Sequence, residues 1–279
     1  MPSNSRARPP EVQRPAPTGY VDTHCHLDDD AFQRDLHEVL QRASAVGVRR
    51  WINVGYAPER WASSFALVAD HPGMSFMLGV HPGHADDWNE EVHAHLEQLV
   101  RDHAPVAIGE IGLDFYRGET NDAIQVAAFT AQLAIARNTG IPAVIHMRDA
   151  EDRVLEVLRA QPDLPPLLFH SYDGSQVLTD WVIATSAYVG VGGLVTRGKS
   201  RTLAQQVRRI PIQRIVLETD SPYLVPNGFK HRRNTPESIP CIAQFVSGLF
   251  DVDVSDVARE TTRNAERLFP HLPTEVMTT

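Results

Sequence analysis

The sequence has few cysteines and no long hydrophobic run. Cys25 and Cys241 are the only cysteines among the 279 residues. They are too few for a disulfide framework and too far apart for a zinc ribbon. Such a composition favours a reducing compartment, so we expect a cytoplasmic protein. No apolar stretch reaches the length of about 20 residues that a membrane-spanning helix needs, so we expect no membrane association.

Positive charge is also scarce. The chain carries 26 Lys and Arg residues against 35 Asp and Glu residues, for a net charge of -9. This balance argues against a surface that coats nucleic acid without specificity. A phosphate-rich substrate would need metal ions or a local basic rim to offset the negative field. Only two lysines are present, Lys199 and Lys230.

The length is sufficient for one large domain. Residues 1–18 contain five prolines and three arginines without a hydrophobic segment. This composition predicts a disordered tail rather than a secretory signal. We expect a single folded domain over residues 19–270 and a C-terminal tail over residues 271–279. No internal repeat, second domain or signal for an obligate protein partner is evident.

Short apolar runs alternate with amphipathic segments along the whole chain. The runs predict eight strands, which start near Tyr20, Trp51, Ser75, Val106, Ala143, Leu167, Ala187 and Arg214. Strands that alternate with helices pair in parallel, and near-continuous apolar strands are typical of a sheet covered by helices. Eight such units over about 250 residues predict an α/β protein with a (β/α)8 TIM barrel. An open doubly wound sheet is the alternative, but no glycine fingerprint follows the first strand.

Polar side chains stand at the ends of several predicted strands. They are His24, His26, Glu110, His146, His170 and Asp220. Residues i and i+2 of a strand share a face, so His24 and His26 point the same way. Each residue alone could be a satisfied core side chain. Together they indicate an active site, because barrel enzymes place their active sites at the carboxyl ends of the strands.

Four imidazoles and two carboxylates are too many ligands for one tetrahedral ion. They suit two metal ions that share a bridging carboxylate, for which Glu110 is the natural candidate. A carboxylated lysine is disfavoured as the bridge, since neither lysine lies on the fourth strand. Asp22 and Glu218 share faces with His24 and Asp220, so they could orient ligands or simply hydrogen-bond to the backbone. Cys25 has the opposite parity and is not expected to be a ligand.

Basic residues follow the strand ends and predict a rim around this site. They are Arg117, Arg148, Arg197, Lys199, Arg201, Lys230, Arg232 and Arg233. Such a rim suits a phosphorylated substrate, and Arg148, on the face of His146, is the best candidate for a phosphate contact. His81 and His84 follow the third strand. Either could contact substrate, although loop histidines are commonly solvated.

Six ordered motifs resemble those of the TatD family of metal-dependent deoxyribonucleases, within the amidohydrolase-like barrels. They occupy residues 20–28, 79–82, 109–114, 145–150, 217–224 and 262–265. The resemblance extends from Tyr20 to about Phe269. It implies that His24, His26 and Asp220 hold one metal, that Glu110 bridges, and that His146 and His170 hold the second. It also implies divalent cofactors such as magnesium, manganese or zinc.

One segment departs from the family pattern. Residues 170–174 are His, Ser, Tyr, Asp and Gly, where family members commonly have Cys, Phe and Ser at the middle three places. Asp173 adds negative charge near the expected path of the phosphate. The departure leaves the metal ligands intact and bears on substrate preference.

The expected reaction is hydrolysis of DNA phosphodiester bonds, with an exonuclease acting on single strands or at a 3′ end. Two metal ions would lower the pKa of a bound water, and Asp220 would take its proton. An amidohydrolase-type enzyme that cleaves a C–N or ester bond of a small molecule is the alternative, and a narrow pocket would favour it. An open basic groove with a stacking aromatic such as Phe115, Tyr116 or Tyr223 would favour DNA. A non-catalytic metal-binding barrel is a third interpretation.

Overall fold

The described part of this computed structural model, residues 19–116, 122–197 and 201–273, contains eight parallel β-strands. They form one sheet whose strand order follows the chain. The strands are β1 (Tyr20–Cys25), β2 (Val48–Gly55), β3 (Met74–Leu78), β4 (Ile108–Asp114), β5 (Ala143–Arg148), β6 (Leu167–Phe169), β7 (Tyr188–Val191) and β8 (Ile215–Leu217). Alternating helices surround them, so the predicted (β/α)8 TIM barrel is confirmed.

The helices that cover the sheet lie between successive strands and after the last one. Over the described ranges they are α1 (Leu36–Ala45), α2 (Pro58–Asp70), α3 (Glu90–His103), α4 (Asp122–Thr139), α5 (Glu151–Arg159), α6 (Gln176–Ala184), α7 (Arg201–Arg209), α8 (Ile239–Phe250) and α9 (Val254–Leu268). Short 3-10 turns occupy Asp30–Phe32, Pro82–Asp87, Gly193–Thr196, Ile212–Arg214 and Pro236–Ser238. Among these helices, none combines the length and the apolar character required to cross a bilayer.

Backbone hydrogen bonds between β1 and the segment after β8 close the barrel. The amide of Asp220 donates to the carbonyl of His24 at 2.9 Å, and the amide of His26 donates to the carbonyl of Ser221 at 2.8 Å. Cys25 and Ser221 form an isolated parallel bridge between the same segments. The bonds that close the barrel therefore also bring both histidines of β1 next to Asp220.

Two layers of apolar side chains support the strands. Residues such as Ile52, Val144 and Leu168 point into the barrel, where Leu268 and Phe269 of α9 pack against the same cluster. Residues of the opposite parity pack under the surrounding helices, as Trp51 and Ile145 do. Alternation along a strand sends successive side chains to opposite faces. His146 and His170 have the parity of Val144 and Leu168, which places them on the inner face.

The first helix begins later than the pattern predicts. The apolar positions Phe32, Leu36, Val39 and Leu40 predict a single helix over residues 31–46, but a 3-10 turn at Asp30–Phe32 precedes α1, which starts at Leu36. The guanidinium of Arg233 donates to Asp35 at 2.8 Å and lies 4.4 Å from the centroid of the Phe32 ring. This contact, from far along the chain, holds the segment out of the helix. Residues 1–18 and 274–279 of the predicted tails lie outside the described residues.

Candidate metal centre

The six predicted metal ligands lie together at the carboxyl end of the barrel. His24 lies in β1, Glu110 in β4 and His146 in β5. The other three ligands lie just after a strand: His26 after β1, His170 after β6 and Asp220 after β8. His24, Glu110 and His170 are buried, with exposed fractions of 0%, 5% and 7%. These three polar side chains require partners, since burying a polar or charged group without one costs free energy.

One half of the centre consists of His26, Asp220 and His24. Nε2 of His26 lies 3.2 Å from Oδ1 of Asp220, and Nε2 of His24 lies 3.9 Å from the same oxygen. One donor atom from each of the three residues falls within 4.8 Å of the others, a spacing that can hold a metal ion. The barrel closure described above fixes this spacing.

The other half consists of Glu110, His146 and His170. Nε2 of His170 lies 2.8 Å from Oε2 of Glu110, and Nδ1 of His146 lies 3.4 Å from the same oxygen. Nδ1 of His146 also lies 3.1 Å from Nε2 of His170. These donor atoms form a second set with the spacing of a metal site.

The Glu110 carboxylate stands between the two sets. Its Oε2 faces His146 and His170 and lies 3.8 Å from Nε2 of His24, while its Oε1 lies 4.0 Å from Nε2 of His26. Gly112, two residues further along β4, has a φ of 142° and pairs with His146. A Cβ at this glycine would lie 1.9 Å from the carbonyl oxygen of His146. Only glycine therefore lets β4 approach β5 closely enough for this arrangement.

Several buried ring nitrogens of the centre have no hydrogen-bond partner within the described residues. They are Nδ1 and Nε2 of His24, Nδ1 of His26 and Nδ1 of His170. Leaving a buried polar atom unsatisfied costs about 1–3 kcal/mol, so such atoms need an explanation. Imidazole nitrogens with carboxylate oxygens are a donor set that suits zinc and manganese. The residues present therefore fit divalent metal binding.

The electrostatics of the centre favour ionised carboxylates beside neutral and charged imidazoles. Burial raises the pKa of Glu110, but the neighbouring His170, His81 and His146 outweigh it and hold that pKa well below its usual range. Burial, helped by His170, lowers the pKa of His24 well below normal. Burial also lowers the pKa of His26, but the contact with Asp220 raises this pKa by a larger amount, so the net shift of the pKa is upward. A carboxylate and a neutral imidazole are the forms that bind metal.

Asp114 is a residue of the centre that the sequence analysis did not single out. Its Oδ2 lies 3.0 Å from Nε2 of His146, opposite the nitrogen that faces Glu110 and His170. Burial opposes ionisation of Asp114, but the bonds from His146 and from the amide of Tyr116 keep its pKa below the usual value. The apolar run that starts near Val106 predicts a fourth strand that ends at Ile111, whereas β4 continues to Asp114. By strand alternation Asp114 has the parity of Glu110, which is the signal that could have found it.

Asp22 and Glu218, the two residues expected behind the ligands, have different environments. Asp22 accepts hydrogen bonds from the amide and the hydroxyl of Thr219 at 2.9 and 2.6 Å, so it joins β1 to β8. Glu218 accepts a bond from the amide of Ser171, and its buried Oε2 has no hydrogen-bond partner among the described residues. One of its oxygens falls within 4.8 Å of donor atoms of His24 and His170. Glu218 therefore lies directly against the imidazoles, whereas Asp22 is hydrogen-bonded to the backbone and side chain of Thr219.

Cys25 lies away from the centre, as its parity predicts. Its thiol is fully buried and donates to the carbonyl of Ile52 at 3.3 Å. It also belongs to the cluster that packs under the helices. Cys25 is in none of the potential metal-binding groups found in the described residues.

His81, predicted as a substrate contact, lies at the edge of the centre. Its ring centroid is 4.2 Å from that of His146, and its Nδ1 accepts a hydrogen bond from the amide of Gly83 at 2.9 Å. Burial lowers the pKa of His81 to about 3, so its ring is neutral near pH 7. His84 instead faces Glu59 and Asp87, at 3.8 and 3.5 Å, on the outside of the site.

The side chains of the predicted basic rim differ in whether an acidic residue already compensates their charge. Arg148 is exposed and stacks on Tyr116, with its guanidinium carbon 3.5 Å from the ring centroid. Arg233 is bound to Asp35 and Phe32, so its charge is already compensated. Arg117 and Lys199 lie outside the described residues. Arg148 lies at the end of β5, two residues after His146.

Comparison with known proteins covers nearly the whole barrel. The pattern of the family described as TatD related DNase matches residues 21–270. A Bacillus subtilis protein named uncharacterized metal-dependent hydrolase YabD is 32% identical, over 89% of this chain and 98% of its own length. The Yersinia pseudotuberculosis protein named 3'-5' ssDNA/RNA exonuclease TatD is 34% identical over the same shares of the two chains.

A solved structure has the same fold. The TatD homologue YjjV from Escherichia coli superimposes with a TM-score of 0.82 and 28% identity, over 90% of this chain and 98% of that one. Family pattern, relatives and fold agree over the segments that carry the six clustered side chains. The chain therefore belongs to the TatD-related DNase family, and it is a metal-dependent hydrolase built on a (β/α)8 barrel.

Proposed function

We propose that this protein is a two-metal exonuclease that hydrolyses the phosphodiester bonds of single-stranded DNA from the 3′ end. The observation that carries the proposal is the position of Glu110 between two sets of donor atoms. A carboxylate shared by two metal ions is the arrangement by which many phosphodiesterases hold both the attacking and the leaving oxygen. Relatives named for 3′-5′ exonuclease activity on single-stranded DNA and RNA support the substrate and the polarity.

His24, His26 and Asp220 would hold one divalent ion, and His146 and His170 the other, with Glu110 contributing to both. Magnesium, manganese and zinc are the candidates, and the four imidazoles favour zinc over magnesium. When bound, such ions supply Lewis acidity that activates water and offsets the charge of the phosphoryl group.

The side chains of this chain have distinct tasks in the proposed reaction. Asp220 is partly exposed, so its carboxylate can take the proton of the attacking water. Arg148 presents its guanidinium to a phosphate of the strand. His81 is neutral near pH 7, and because its Nδ1 accepts from the amide of Gly83, its Nε2 carries the proton and can donate one hydrogen bond to the substrate.

We also propose a cytoplasmic location. Cys25 and Cys241 are both free thiols, and no disulfide joins them. A chain that uses no cross-link suits a reducing compartment.

The decisive experiment uses metal-stripped protein and end-labelled single-stranded DNA. Magnesium, manganese or zinc is restored separately, and products from strands labelled at the 5′ or the 3′ end are resolved by length. Metal-dependent release of mononucleotides from the 3′ end is the expected result. Activity on an amide or a small ester, with no cleavage of DNA, would instead support the amidohydrolase alternative.

Glu110→Gln is the matched test of the site. It should lose nearly all turnover while it keeps the far-ultraviolet circular dichroism of the parent, because the glutamine amide cannot bridge two cations. Glu91→Gln, an exposed carboxylate on α3, is the control and should retain full activity. Full activity of a folded Glu110→Gln protein would refute the bridging role.

A further inference from the structure

Two exposed aromatic side chains flank the metal centre. Among the large hydrophobic residues that are exposed in the described part of the chain, Tyr116 and Tyr223 are the only aromatic ones, with exposed fractions of 59% and 54%. The other five are aliphatic and lie elsewhere: Ile124, Leu164, Val177, Ile183 and Val252. Phe115, the third aromatic considered as a stacking residue, packs against the core.

Tyr223 stands on the His26 side of the centre. The centroids of the two rings are 5.9 Å apart, and the amide of Tyr223 donates to the carbonyl of Asp220 at 2.8 Å. The phenol also donates to Asp29, with 3.4 Å between the oxygens. Half of the ring nevertheless remains in solvent, and its backbone is fixed to that of a predicted metal ligand.

Tyr116 stands on the His146 side. Its amide donates to Oδ1 of Asp114 at 3.0 Å, and the other oxygen of the same carboxylate contacts His146. The guanidinium of Arg148 lies 3.5 Å above the ring, so one face is covered by a planar cation. Tyr116 as a whole nevertheless keeps an exposed fraction of 59%. Tyr116 is thus held by the same carboxylate that contacts the metal centre.

A continuous row of rings runs from Tyr223 to His146, whose Nε2 contacts the carboxylate that also accepts from the amide of Tyr116. From Tyr223 the row runs through His26, His24 and His170 to His146. The successive ring centroids along the row are 5.9, 5.2, 4.0 and 5.3 Å apart. Tyr223 therefore occupies one end of the row that contains the predicted ligands, and Tyr116 is held next to the other end through Asp114.

We propose that Tyr116 and Tyr223 are substrate-binding residues that stack on nucleobases at either side of the scissile phosphodiester. The inference rests on the proposed function, whose phosphate position lies between the two tyrosines. Exposed aromatic rings bind single strands by stacking, which every base permits, whereas the base faces of a duplex are already covered. Arg148 extends the Tyr116 platform as a cation stacked on a π-face and remains available to a phosphate. The pair thus selects unpaired strands without selecting their sequence.

The test compares Tyr116→Ala, Tyr223→Ala and the double variant with their Tyr→Phe counterparts. Two readouts are taken: KM for single-stranded DNA with metal bound, and the dissociation constant of a labelled strand with phosphorothioate linkages. Each alanine variant should raise both by at least about fivefold, the lower end of the effect of one stacked base. The phenylalanine variants should match the wild type, and so should Ile183→Ala, an equally exposed side chain on α6.

Substrates without bases provide the complementary measurement. A strand whose terminal residues carry reduced abasic sugars should bind the wild type and the alanine variants equally weakly, because no base remains to stack. Wild-type cleavage of DNA with no effect of either alanine substitution on KM or binding would overturn the stacking role and leave the nuclease intact. Absence of DNA cleavage by the wild type would overturn the proposed function itself.

Discussion

Nε2 of His146 lies 3.0 Å from Oδ2 of Asp114, while Nδ1 of the same ring faces Glu110 and His170. A carboxylate on the far nitrogen of an imidazole fixes its tautomer and its orientation and increases its basicity. The contact therefore prepares Nδ1 of His146 for a metal ion. The same carboxylate accepts from the amide of Tyr116, so it also connects Tyr116 to the buried centre.

Asp114→Asn should weaken metal binding at the His146 side by about 10–100-fold, the usual effect of losing such a partner. Asparagine keeps an oxygen that can accept from the amide of Tyr116, so the backbone of the loop should be preserved. Isothermal titration of the metal-free proteins with zinc or manganese measures the change. Equal affinities in the two proteins would assign Asp114 a role in loop structure alone.

Metal affinity should rise with pH up to about 9. Burial lowers the pKa of His146, but the bonds to Asp114 and Glu110 outweigh it and raise that pKa to about 9. Below this pH the metal must displace a proton from the ring, so affinity should increase by up to about tenfold per pH unit. Titrations at pH 6.5, 7.5 and 8.5 in buffers of different ionisation enthalpy measure both affinity and proton release.

The Asp114→Asn protein offers an internal control for this pH dependence. Removing the negative charge lowers the pKa of His146, so the rise in affinity should be completed at a lower pH than in the wild type. An unchanged pH profile in the variant would show that another group releases the proton.

Asp22→Asn should stabilise the metal-free protein at neutral pH. Burial raises the pKa of Asp22 to about 7, although the hydrogen bonds from Thr219 act in the opposite direction. In the unfolded chain this carboxyl ionises near pH 4, so the folded state binds more protons between pH 4 and 7. The free energy of unfolding therefore falls as pH rises through that window.

Asparagine carries no proton to lose and should remove this dependence. The gain at pH 8 over the wild type should be on the order of 2–4 kcal/mol, with little difference at pH 4. Urea denaturation at the two pH values measures it, and Asp86→Asn, an exposed carboxyl, is the control. If the free energy of unfolding depended on pH in the same way for the wild type and Asp22→Asn, the raised pKa of Asp22 would be contradicted.

Arg148→Ala should raise KM for single-stranded DNA and leave the metal content unchanged. Loss of one phosphate contact should also reduce the slope of log affinity against log salt by about one. Arg101→Ala, an exposed arginine on α3, is the matched control. An unchanged KM and an unchanged salt slope would exclude Arg148 from the phosphate path.

Most of the fold followed from the sequence because it depends on local patterns. Alternating apolar strands and amphipathic helices determine a parallel barrel, and the carboxyl ends of its strands must meet at one face. The pairing of His24 with His26 and the parity of Cys25 are consequences of a strand period of two. These features required no knowledge of which residues touch.

The remaining features depend on contacts between distant parts of the chain. The late start of α1 reflects Arg233, and no pattern near Asp35 reveals that partner. The bond of Asp22 to Thr219 and the stacking of Arg148 on Tyr116 likewise arise from packing. Asp114 was missed for a different reason, an error of three residues at the end of β4. Strand ends are where sequence patterns are weakest, and here a strand end carries a residue of the site.

The bonds that close the barrel also determine when the enzyme can first be active. Asp22 bonds to Thr219, 197 positions later in the chain, and Asp220 follows immediately. At synthesis rates of about 5–20 residues per second, the histidines of β1 emerge at least about 10 s before Asp220 does. A nascent chain in that interval lacks Asp220, so its centre is incomplete. The six side chains can come together only after the segment that follows β8 has joined β1.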